Sequence, residues 1–212
     1  MKRPILIGSI PVLSMDSLGQ RIKDSAGTCD LVELRLDYLQ EIDPKILELL
    51  KPFAGRCIIT LRSRDEGGIN HFPDDIRETF LSEAVRNGFM VDVELATSVR
   101  TGINSFISSM HFLRKLPERS ALSGLVEKAS SIGKHVKIAY LPSPGSRSRM
   151  MSILEESRNL SIMEIGSGSE SRIAFSLLGS EMMYCHLGEP TASGQMECHR
   201  AVKIIDCLWK SI

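Results

Sequence analysis

Two residues that can do chemistry together lie in short apolar runs, where charged side chains are unexpected. Lys137 stands inside VKIAYL (136–141), and His111 stands near the end of FISSMHF (106–112). Burial beside other cations lowers the pKa of a lysine, and an amine that is partly neutral near pH 7 can attack a carbonyl to form a Schiff base. An imidazole titrates near the same pH and can take up and return a proton. The pair indicates carbonyl chemistry performed by an amine and a base.

Other apolar runs also contain ionisable residues. They are Glu33, Arg35, Arg62, Asp92, Glu94, Glu164 and His186. The interior strands of a parallel sheet are usually almost uniformly hydrophobic, and an unpaired buried charge is costly. Such residues therefore persist when they are paired or when chemistry needs them. Strand alternation places Glu33, Arg35 and Asp37 on one face.

Each of these residues also has a purely structural interpretation. Glu33 and Arg35 can form a buried ion pair that fixes strand register, and a strand histidine is often a satisfied core group. Lys137 is harder to explain in this way, because a lysine in a central strand cannot easily extend its amine to water. Lys134 is the rival nucleophile, but it lies at the start of the strand beside Gly133. We expect active-site groups at the other end of the strand, which favours Lys137.

Eight apolar runs of strand length alternate with segments of helical periodicity. The runs cover 5–10, 31–37, 57–63, 90–96, 106–112, 135–141, 161–167 and 183–188; the helical segments cover 14–26, 43–51, 74–87, 117–132, 146–158, 169–178 and 195–209. This alternation predicts a parallel sheet and favours a compact (β/α)₈ TIM barrel. The link after the fourth run is too short for a full helix. A doubly wound sheet is the alternative, but its glycine-rich fingerprint is absent from the turn at 9–17.

Length and composition set the remaining bounds. At 212 residues, the chain is predicted to be a single barrel domain over residues 1–212. Its 42% hydrophobic and 25% charged residues exclude a disordered chain, and its net charge of zero disfavours a nucleic-acid partner. Pro and Gly interrupt the apolar N-terminal run, which favours a strand over a signal peptide. No apolar stretch is long enough for a membrane helix, so we expect a cytoplasmic protein without a membrane partner.

Cysteine and histidine patterns argue against a disulfide framework and a metal site. The 5 cysteines are odd in number and form no C-x-x-C pair, which favours free thiols in a reducing cytoplasm. Cys185 and His186 are adjacent, and Cys198 precedes a histidine without the spacing of a tetrahedral site. His71 and His135 are expected to be solvated.

Six motifs occur in order along the chain. They are ELRLD (33–37), TLRSRDEGG (60–68), SSMH (108–111), VKIA (136–139), the Ser-Arg pair of SESR (169–172) and TASGQ (191–195). Over nearly its whole length the sequence resembles type I 3-dehydroquinate dehydratase, the Schiff-base lyase of the shikimate pathway. The resemblance implies elimination of water from 3-dehydroquinate to give 3-dehydroshikimate during aromatic amino-acid biosynthesis. It implies a small-molecule substrate, no metal or organic cofactor, and a homodimer.

The resemblance also implies residue roles. Lys137 would form the imine, His111 would act as general base and then acid, and Glu66 would orient His111. The remaining matched residues would contact the substrate: Glu33, Arg35 and Arg62 at its ring hydroxyls, Arg172, Thr191 and Gln195 at its carboxylate end, and Ser9 within the pocket.

Two departures and two alternatives accompany this interpretation. Phe112 follows the base histidine where the family usually has an acidic or amide residue, and EIGSGSE (164–170) lacks the usual methionine-glycine sequence before the Ser-Arg pair. The assignment of Arg172 therefore depends on register. Another lysine-dependent barrel lyase or aldolase would share Lys137. A non-catalytic anion-binding barrel would bind a ligand without forming a covalent adduct.

Overall fold

Strands and helices alternate through the computed structural model, which describes residues 2–210. The strands are β1 (Ile5–Pro11), β2 (Leu31–Arg35), β3 (Cys57–Thr60), β4 (Met90–Glu94), β5 (Ile107–Phe112), β6 (His135–Tyr140), β7 (Leu160–Glu164) and β8 (Met182–His186). The helices are α1 (Leu18–Asp24), α2 (Lys45–Leu50), α3 (Asp74–Arg86), α4 (Leu95–Thr101), α5 (Arg119–Ser130), α6 (Ser146–Glu156), α7 (Glu170–Leu177) and α8 (Cys198–Lys210). Single 3₁₀ turns occupy Leu36–Tyr38, Lys51–Phe53 and Arg64–Glu66.

The strands form one parallel sheet in the order β7-β6-β5-β4-β3-β2-β1-β8. Chain neighbours are paired from β1 to β7, and β8 returns to pair with β1, with Ser9 opposite both Glu33 and His186. The sheet thus curls into the predicted (β/α)₈ barrel, with a seam between β7 and β8.

Serine side chains help to close that seam. The backbone N–H groups of Ile162 and Met182 donate to the hydroxyls of Ser180 and Ser161, both at 3.0 Å. One backbone hydrogen bond, from Glu181 N–H to the Leu160 carbonyl, also joins the two sides at 3.0 Å. Among the described residues, the seam is thus joined by these three hydrogen bonds and not by a full ladder between β7 and β8.

Strand alternation divides the interior of the barrel from the layer beneath the helices. On β6, Val136, Ile138 and Tyr140 belong to the apolar layer under the helices, whereas Lys137 and Ala139 face the barrel interior. The helices cover this layer with apolar faces of helical spacing, as α8 does with Cys198, Ala201 and Ile205. The interior, which is polar toward the C-terminal ends of the strands and apolar below them around Ile7, Ile58 and Ile107, is therefore surrounded by an apolar layer.

The strand prediction is confirmed at all eight positions, with boundaries that differ by a few residues. Asp43-Pro44 and Pro73 precede α2 and α3, as expected of helix starts. The link after β4 differs from the prediction, because it forms the seven-residue helix α4 directly from Leu95. Within the described part of the chain, no helix has the length and apolarity needed to cross a membrane.

The expectation that the cysteines are free thiols is wrong for one pair. Cys185 and Cys198 form a disulfide, with their Cα atoms 5.0 Å apart. Alternation directs the Cys185 side chain away from the barrel interior, and α8 begins against that outer side of β8, so the fold brings the two sulfurs together. Their separation of 13 residues matches no short cysteine motif, so no local pattern indicated the pairing.

The expectation of a solvated histidine is also wrong at one position. His135 is only 6% exposed, and its Nδ1 lies 2.5 Å from Oε2 of Glu181. Its ring packs edge-on against Phe106, with centroids 4.8 Å apart. His135, the first residue of β6, is thus covered by Glu181 and Phe106 at the N-terminal end of the barrel. His71, by contrast, is exposed as expected.

We predict that the disulfide stabilises the fold by constraining the unfolded chain. For a closed loop of this size, reduction should lower the free energy of unfolding by about 3 kcal/mol. Urea unfolding with and without reductant measures the change. The double variant Cys185→Ala/Cys198→Ala should be insensitive to reductant, and an equal midpoint for reduced and oxidised wild type would contradict the prediction.

Candidate active site

A cavity of about 210 Å³ opens at the C-terminal end of the barrel strands. Nine of the ten residues expected at the site line it: Glu33, Arg35, Arg62, Glu66, His111, Lys137, Arg172, Thr191 and Gln195. The tenth, Ser9, is fully buried, and its hydroxyl donates to Glu33 at 2.6 Å. Residues that are distant in sequence therefore converge, because parallel strands all end at the same face of the barrel.

Lys137 lies deep in this cavity. It is 6% exposed, and its Nζ lies 2.7 Å from Oδ2 of Asp92 and 3.5 Å from Oε1 of Glu33. The Tyr184 ring faces the same Nζ at 4.4 Å from the ring centroid. Cations were expected around this lysine, whereas its nearest charged partners are two carboxylates. Lys134, the rival nucleophile, is exposed beside Phe106 at the opposite end of β6.

Asp92 is the principal residue of the site that the sequence motifs missed. Its side chain is fully buried on β4, and Oδ2 accepts a hydrogen bond from Arg62 at 2.9 Å as well as from Lys137. The other oxygen, Oδ1, accepts from Ser109 at 2.5 Å, and Arg62 donates to the same serine at 2.8 Å. Although burial alone would raise it, Arg62 and Lys137 hold the pKa of Asp92 well below its ordinary value. The available signal was an acid on the inward face of a barrel strand.

The remaining strand acids do not contact Lys137, although Glu94 lies 3.5 Å from Nη1 of Arg62. Glu94 accepts from the buried Arg77 at 2.5 Å and from the Ser63 backbone at 2.8 Å. Glu164 points toward the helices, where it binds Arg147 and accepts from the Tyr140 hydroxyl at 2.8 Å. These two acids fix loops at the mouth and do not line the cavity.

His111 and Glu66 form a pair in the cavity wall. Nδ1 of His111 lies 2.8 Å from Oε2 of Glu66, which also accepts from the His111 backbone N–H at 3.1 Å. Burial, with Arg62 and Lys137 nearby, lowers the pKa of His111 well below its usual value, so the ring is neutral near pH 7. Burial also raises the pKa of Glu66 to about 7. Because Nδ1 is held by Glu66, Nε2 is the ring nitrogen that remains for proton transfer.

Phe112 does not disturb this pair. It follows His111 on β5 and therefore points to the other side of the strand, where it packs against the apolar layer beneath the helices. The Phe112 side chain, which departs from the family pattern, therefore lies on the side of β5 that faces away from the cavity.

Two further polar groups of the cavity wall, both on β2, are held rigidly. Arg35 donates to both oxygens of Asp37, at 2.7 and 2.8 Å. Glu33 accepts from Ser9 and, at 3.1 Å, from Thr60. The Arg35–Asp37 ion pair and the Glu33 carboxylate are each held by two hydrogen bonds. This wall therefore presents fixed donors and acceptors that suit hydroxyl groups.

Arg172 reaches the cavity from α7 at the seam of the barrel. It is 3% exposed, and its contacts are weak: 3.5 Å to the Tyr184 carbonyl, 3.3 Å to the Ser193 carbonyl and 3.6 Å to the Met163 sulfur. Its Nε has no hydrogen-bond partner within residues 2–210. Burial, only partly offset by Glu33, lowers the pKa of Arg172 to about 10. A buried guanidinium without a carboxylate partner is suited to an anionic ligand.

The loop between β8 and α8 covers the same side of the cavity. Oε1 of Gln195 accepts from the backbone N–H groups of Thr191 and Ala192, at 2.7 and 3.1 Å. Gly194 has φ +84°, and a Cβ there would lie 2.2 Å from the Ser167 carbonyl oxygen. Only glycine allows this loop to pack so closely on the loop after β7.

The site therefore combines a buried amine, a neutral imidazole and an unpaired guanidinium around one small cavity. This set can bind an anionic carbonyl compound, attack its carbonyl carbon and move a proton at a neighbouring carbon. Across residues 2–210, no group of three or more His, Cys, Asp or Glu side chains is arranged to hold a metal ion.

Comparisons with known proteins agree with this chemistry. A sequence model of the family described as "Type I 3-dehydroquinase" matches residues 9–211. The chain is 36% identical to the 3-dehydroquinate dehydratase of Sulfolobus acidocaldarius over 207 residues, which cover 97% of this chain and 94% of that protein. It is 36% identical to the protein of the same name from Metallosphaera sedula over 211 residues, covering 99% and 100%. The fold is similar to the crystal structure of 3-dehydroquinate dehydratase from Geobacillus kaustophilus, with TM-score 0.83, 22% identity, and 98% and 91% of the two chains covered.

We predict that Glu66 makes the fold less stable as pH rises. Its pKa is raised from 4.5 to about 7 on folding, so the folded protein keeps a proton between these pH values that the unfolded chain has released. The free energy of unfolding contributed by this group therefore falls across that window. Relative to wild type, Glu66→Gln should gain at most about 3 kcal/mol between pH 4 and pH 8.

Urea unfolding at a series of pH values measures this difference. The lowered pKa of His111 acts in the opposite direction, but it is present in both proteins and largely cancels. Glu83→Gln changes a half-buried glutamate on α3; it is the control and should follow the wild-type curve. Parallel curves for wild type and Glu66→Gln would show that the carboxyl is not perturbed.

Proposed function

Because the chain belongs to the type I 3-dehydroquinase family, we propose that it dehydrates 3-dehydroquinate to 3-dehydroshikimate through an imine on Lys137. The observation that carries the proposal is the placement of the buried Lys137 amine and the His111–Glu66 pair on the walls of one cavity. A cavity of about 210 Å³ is a suitable size for a single six-membered ring with its substituents.

The reaction begins at the substrate ketone on C3. The Lys137 ammonium first gives up a proton to a base, and the neutral amine adds to this carbon. One proton from the nitrogen and one returned by the base leave with the ketone oxygen as water, which gives a protonated imine. The imine withdraws electrons from the neighbouring C2–H bond, whose proton is otherwise too weakly acidic to remove. The C2 proton then moves to His111, and the electron pair forms an enamine.

Elimination follows from the enamine. The electron pair returns to form the C1–C2 double bond, and the C1 hydroxyl leaves as water with the proton that His111 took up. Water then hydrolyses the conjugated imine, which releases the product and the free amine. His111 thus acts first as base and then as acid, which suits an imidazole that is neutral in the free enzyme.

The substrate would bind with its carboxylate at Arg172. The absence of a carboxylate partner for this guanidinium supports that assignment, as do its burial and its position beside Thr191 and Gln195. We assign the ring hydroxyls to Glu33, Arg35 and Arg62 on the opposite wall, with Ser9 supporting Glu33 from below. Glu66 would act through His111, by holding its ring and its tautomer.

The resemblance supports two further proposals, namely that the protein works in the cytoplasm and that it forms a homodimer. Residues 1–212 would then act as one catalytic domain in each subunit. Light scattering should give a particle mass near twice the 23.5 kDa of the chain, and a monomer at micromolar concentration would exclude the dimer.

We predict a covalent adduct on Lys137. Incubation with 3-dehydroquinate and borohydride should add the mass of the reduced substrate, and peptide mapping should place it at Lys137. In Lys137→Ala the adduct should be absent. In His111→Ala turnover should fall by about 10²- to 10⁴-fold, because the base is lost while the nucleophile remains.

Lys134→Ala is the matched control, because Lys134 lies at the opposite end of the same strand. It should keep both adduct and turnover. An adduct with other keto acids but not with 3-dehydroquinate would indicate an aldolase, and binding without adduct or turnover would indicate an anion-binding barrel. Either result would overturn the proposed reaction.

We predict that Arg172 contributes mainly to substrate binding. A hydrogen-bonded charge pair is worth about 1.5 to 3 kcal/mol, so Arg172→Met should raise KM by roughly 10- to 150-fold with a smaller effect on kcat. Steady-state kinetics measure both. Arg100→Met, on the exposed face of α4, is the control and should match wild type. An unchanged KM in Arg172→Met would contradict the assignment of the substrate carboxylate to Arg172.

A further inference from the structure

We propose that Asp92 is a catalytic residue that keeps positive charge on the Lys137 nitrogen, first as the ammonium of the free enzyme and then as the protonated imine. This inference rests on the proposed function, because it requires the imine. Asp92 belongs to none of the motifs that carry the family resemblance. It does not line the cavity itself, but it contacts Lys137 and Arg62, which do.

The contacts of Asp92 fix its carboxylate against the lysine. Oδ2 lies 2.7 Å from Nζ of Lys137, the shortest of the contacts of that nitrogen. Arg62 donates to the same oxygen at 2.9 Å, and Ser109 donates to Oδ1 at 2.5 Å. Arg62 also donates to Ser109 at 2.8 Å, which closes a ring of hydrogen bonds. A carboxylate held on both oxygens cannot turn away when the lysine reacts.

Glu33 is the competing counterion, and its geometry is poorer. It lies 3.5 Å from Nζ, and it already accepts from Ser9 and Thr60 at 2.6 and 3.1 Å. It also lines the cavity, where we assign it to a substrate hydroxyl. Asp92 is not part of that surface, so bound substrate leaves its contact with the lysine intact.

The charge balance of imine formation shows why a fixed carboxylate is useful. The ammonium gives up a proton to a base, the neutral amine adds to C3, and a proton returns as the oxygen leaves as water. The nitrogen therefore carries one positive charge both before and after this sequence. Asp92 can pair with both cations without moving, and a protonated imine is a far better electron sink than a neutral one.

Other titratable groups of the cavity surround this nitrogen. They are Glu33 from β2, Arg62 after β3, His111 from β5, Arg172 from α7 and the Tyr184 ring from β8. Two of these groups are permanent cations, which disfavour positive charge on the lysine nitrogen. With Asp92 neutralised, Glu33 would be the one carboxylate among the described residues that still contacts the nitrogen, and the imine would lose its proton more readily.

Asp92→Asn tests the proposal, because the amide keeps the shape of the side chain and removes its charge. We expect kcat to fall by about 10- to 100-fold, because the lysine nitrogen loses an electrostatic partner. KM should stay within about threefold of wild type, because no contact with the substrate is lost. Borohydride trapping should also respond to pH. The yield of adduct in the variant should decline at alkaline pH and recover at lower pH, whereas the wild-type yield should persist further into the alkaline range.

Glu94→Gln is the matched control, because Glu94 is a second buried acid on β4 that contacts Arg62 but not Lys137. It should change kcat by less than about fivefold and leave the pH dependence of trapping unaltered. Equal effects of the two substitutions, or wild-type kcat and trapping in Asp92→Asn, would overturn the role of Asp92. Wild-type protein that forms no adduct would instead overturn the proposed function.

Ser109→Ala provides a second test, which also serves if Asp92→Asn does not fold, as judged by circular dichroism. It keeps the carboxylate and removes the hydroxyl that fixes Oδ1. The loss of one buried hydrogen bond should lower kcat by about two- to tenfold at unchanged KM. An unchanged kcat in folded Ser109→Ala would show that the fixed orientation of Asp92 is not needed.

Discussion

The ion pair between Lys137 and Asp92 is the constraint around which the barrel interior is organised. An amine and a carboxylate 2.7 Å apart, both almost completely removed from water, are stable only if the remaining hydrogen-bonding capacity of each is used. Arg62 and Ser109 satisfy the carboxylate, and Glu33 with the Tyr184 ring completes the surroundings of the amine. Residues from four strands, together with Arg62 after β3, are thereby grouped around the Lys137 nitrogen.

Arg172 differs from the other buried arginines near the mouth of the barrel, because no carboxylate among the described residues forms an ion pair with it. Most buried charges near the mouth of the barrel have a close partner: Arg35 binds Asp37, and Arg77 binds Glu94. Arg172 has carbonyl and sulfur contacts of 3.3 Å or more, at the seam where β7 and β8 are joined mainly through serines. Incomplete strand pairing gives this side chain access to the interior, and its unpaired charge makes that part of the cavity a place for an anion.

Much of the fold followed from local patterns in the sequence. Strand and helix alternation predicted the barrel, and the side-chain alternation of β2, β5 and β6 predicted which residues face inward, because a period of two is a property of any strand. The failures were long-range. The disulfide depends on where α8 begins relative to Cys185, and the burial of His135 depends on Glu181, which lies 46 residues away. A local sequence pattern cannot predict contacts between residues so far apart along the chain.

The sequence by itself indicated the groups that we propose to react, since Lys137, His111, Glu66 and Arg172 lie in motifs that can be recognised one segment at a time. Only the tertiary structure decided which charges surround those groups. It placed carboxylates beside Lys137 where cations were expected, made Asp92 its nearest partner, and left Arg172 without one. The physical reason is that charge state depends on burial and on neighbours within a few ångströms, and in a barrel those neighbours come from other strands.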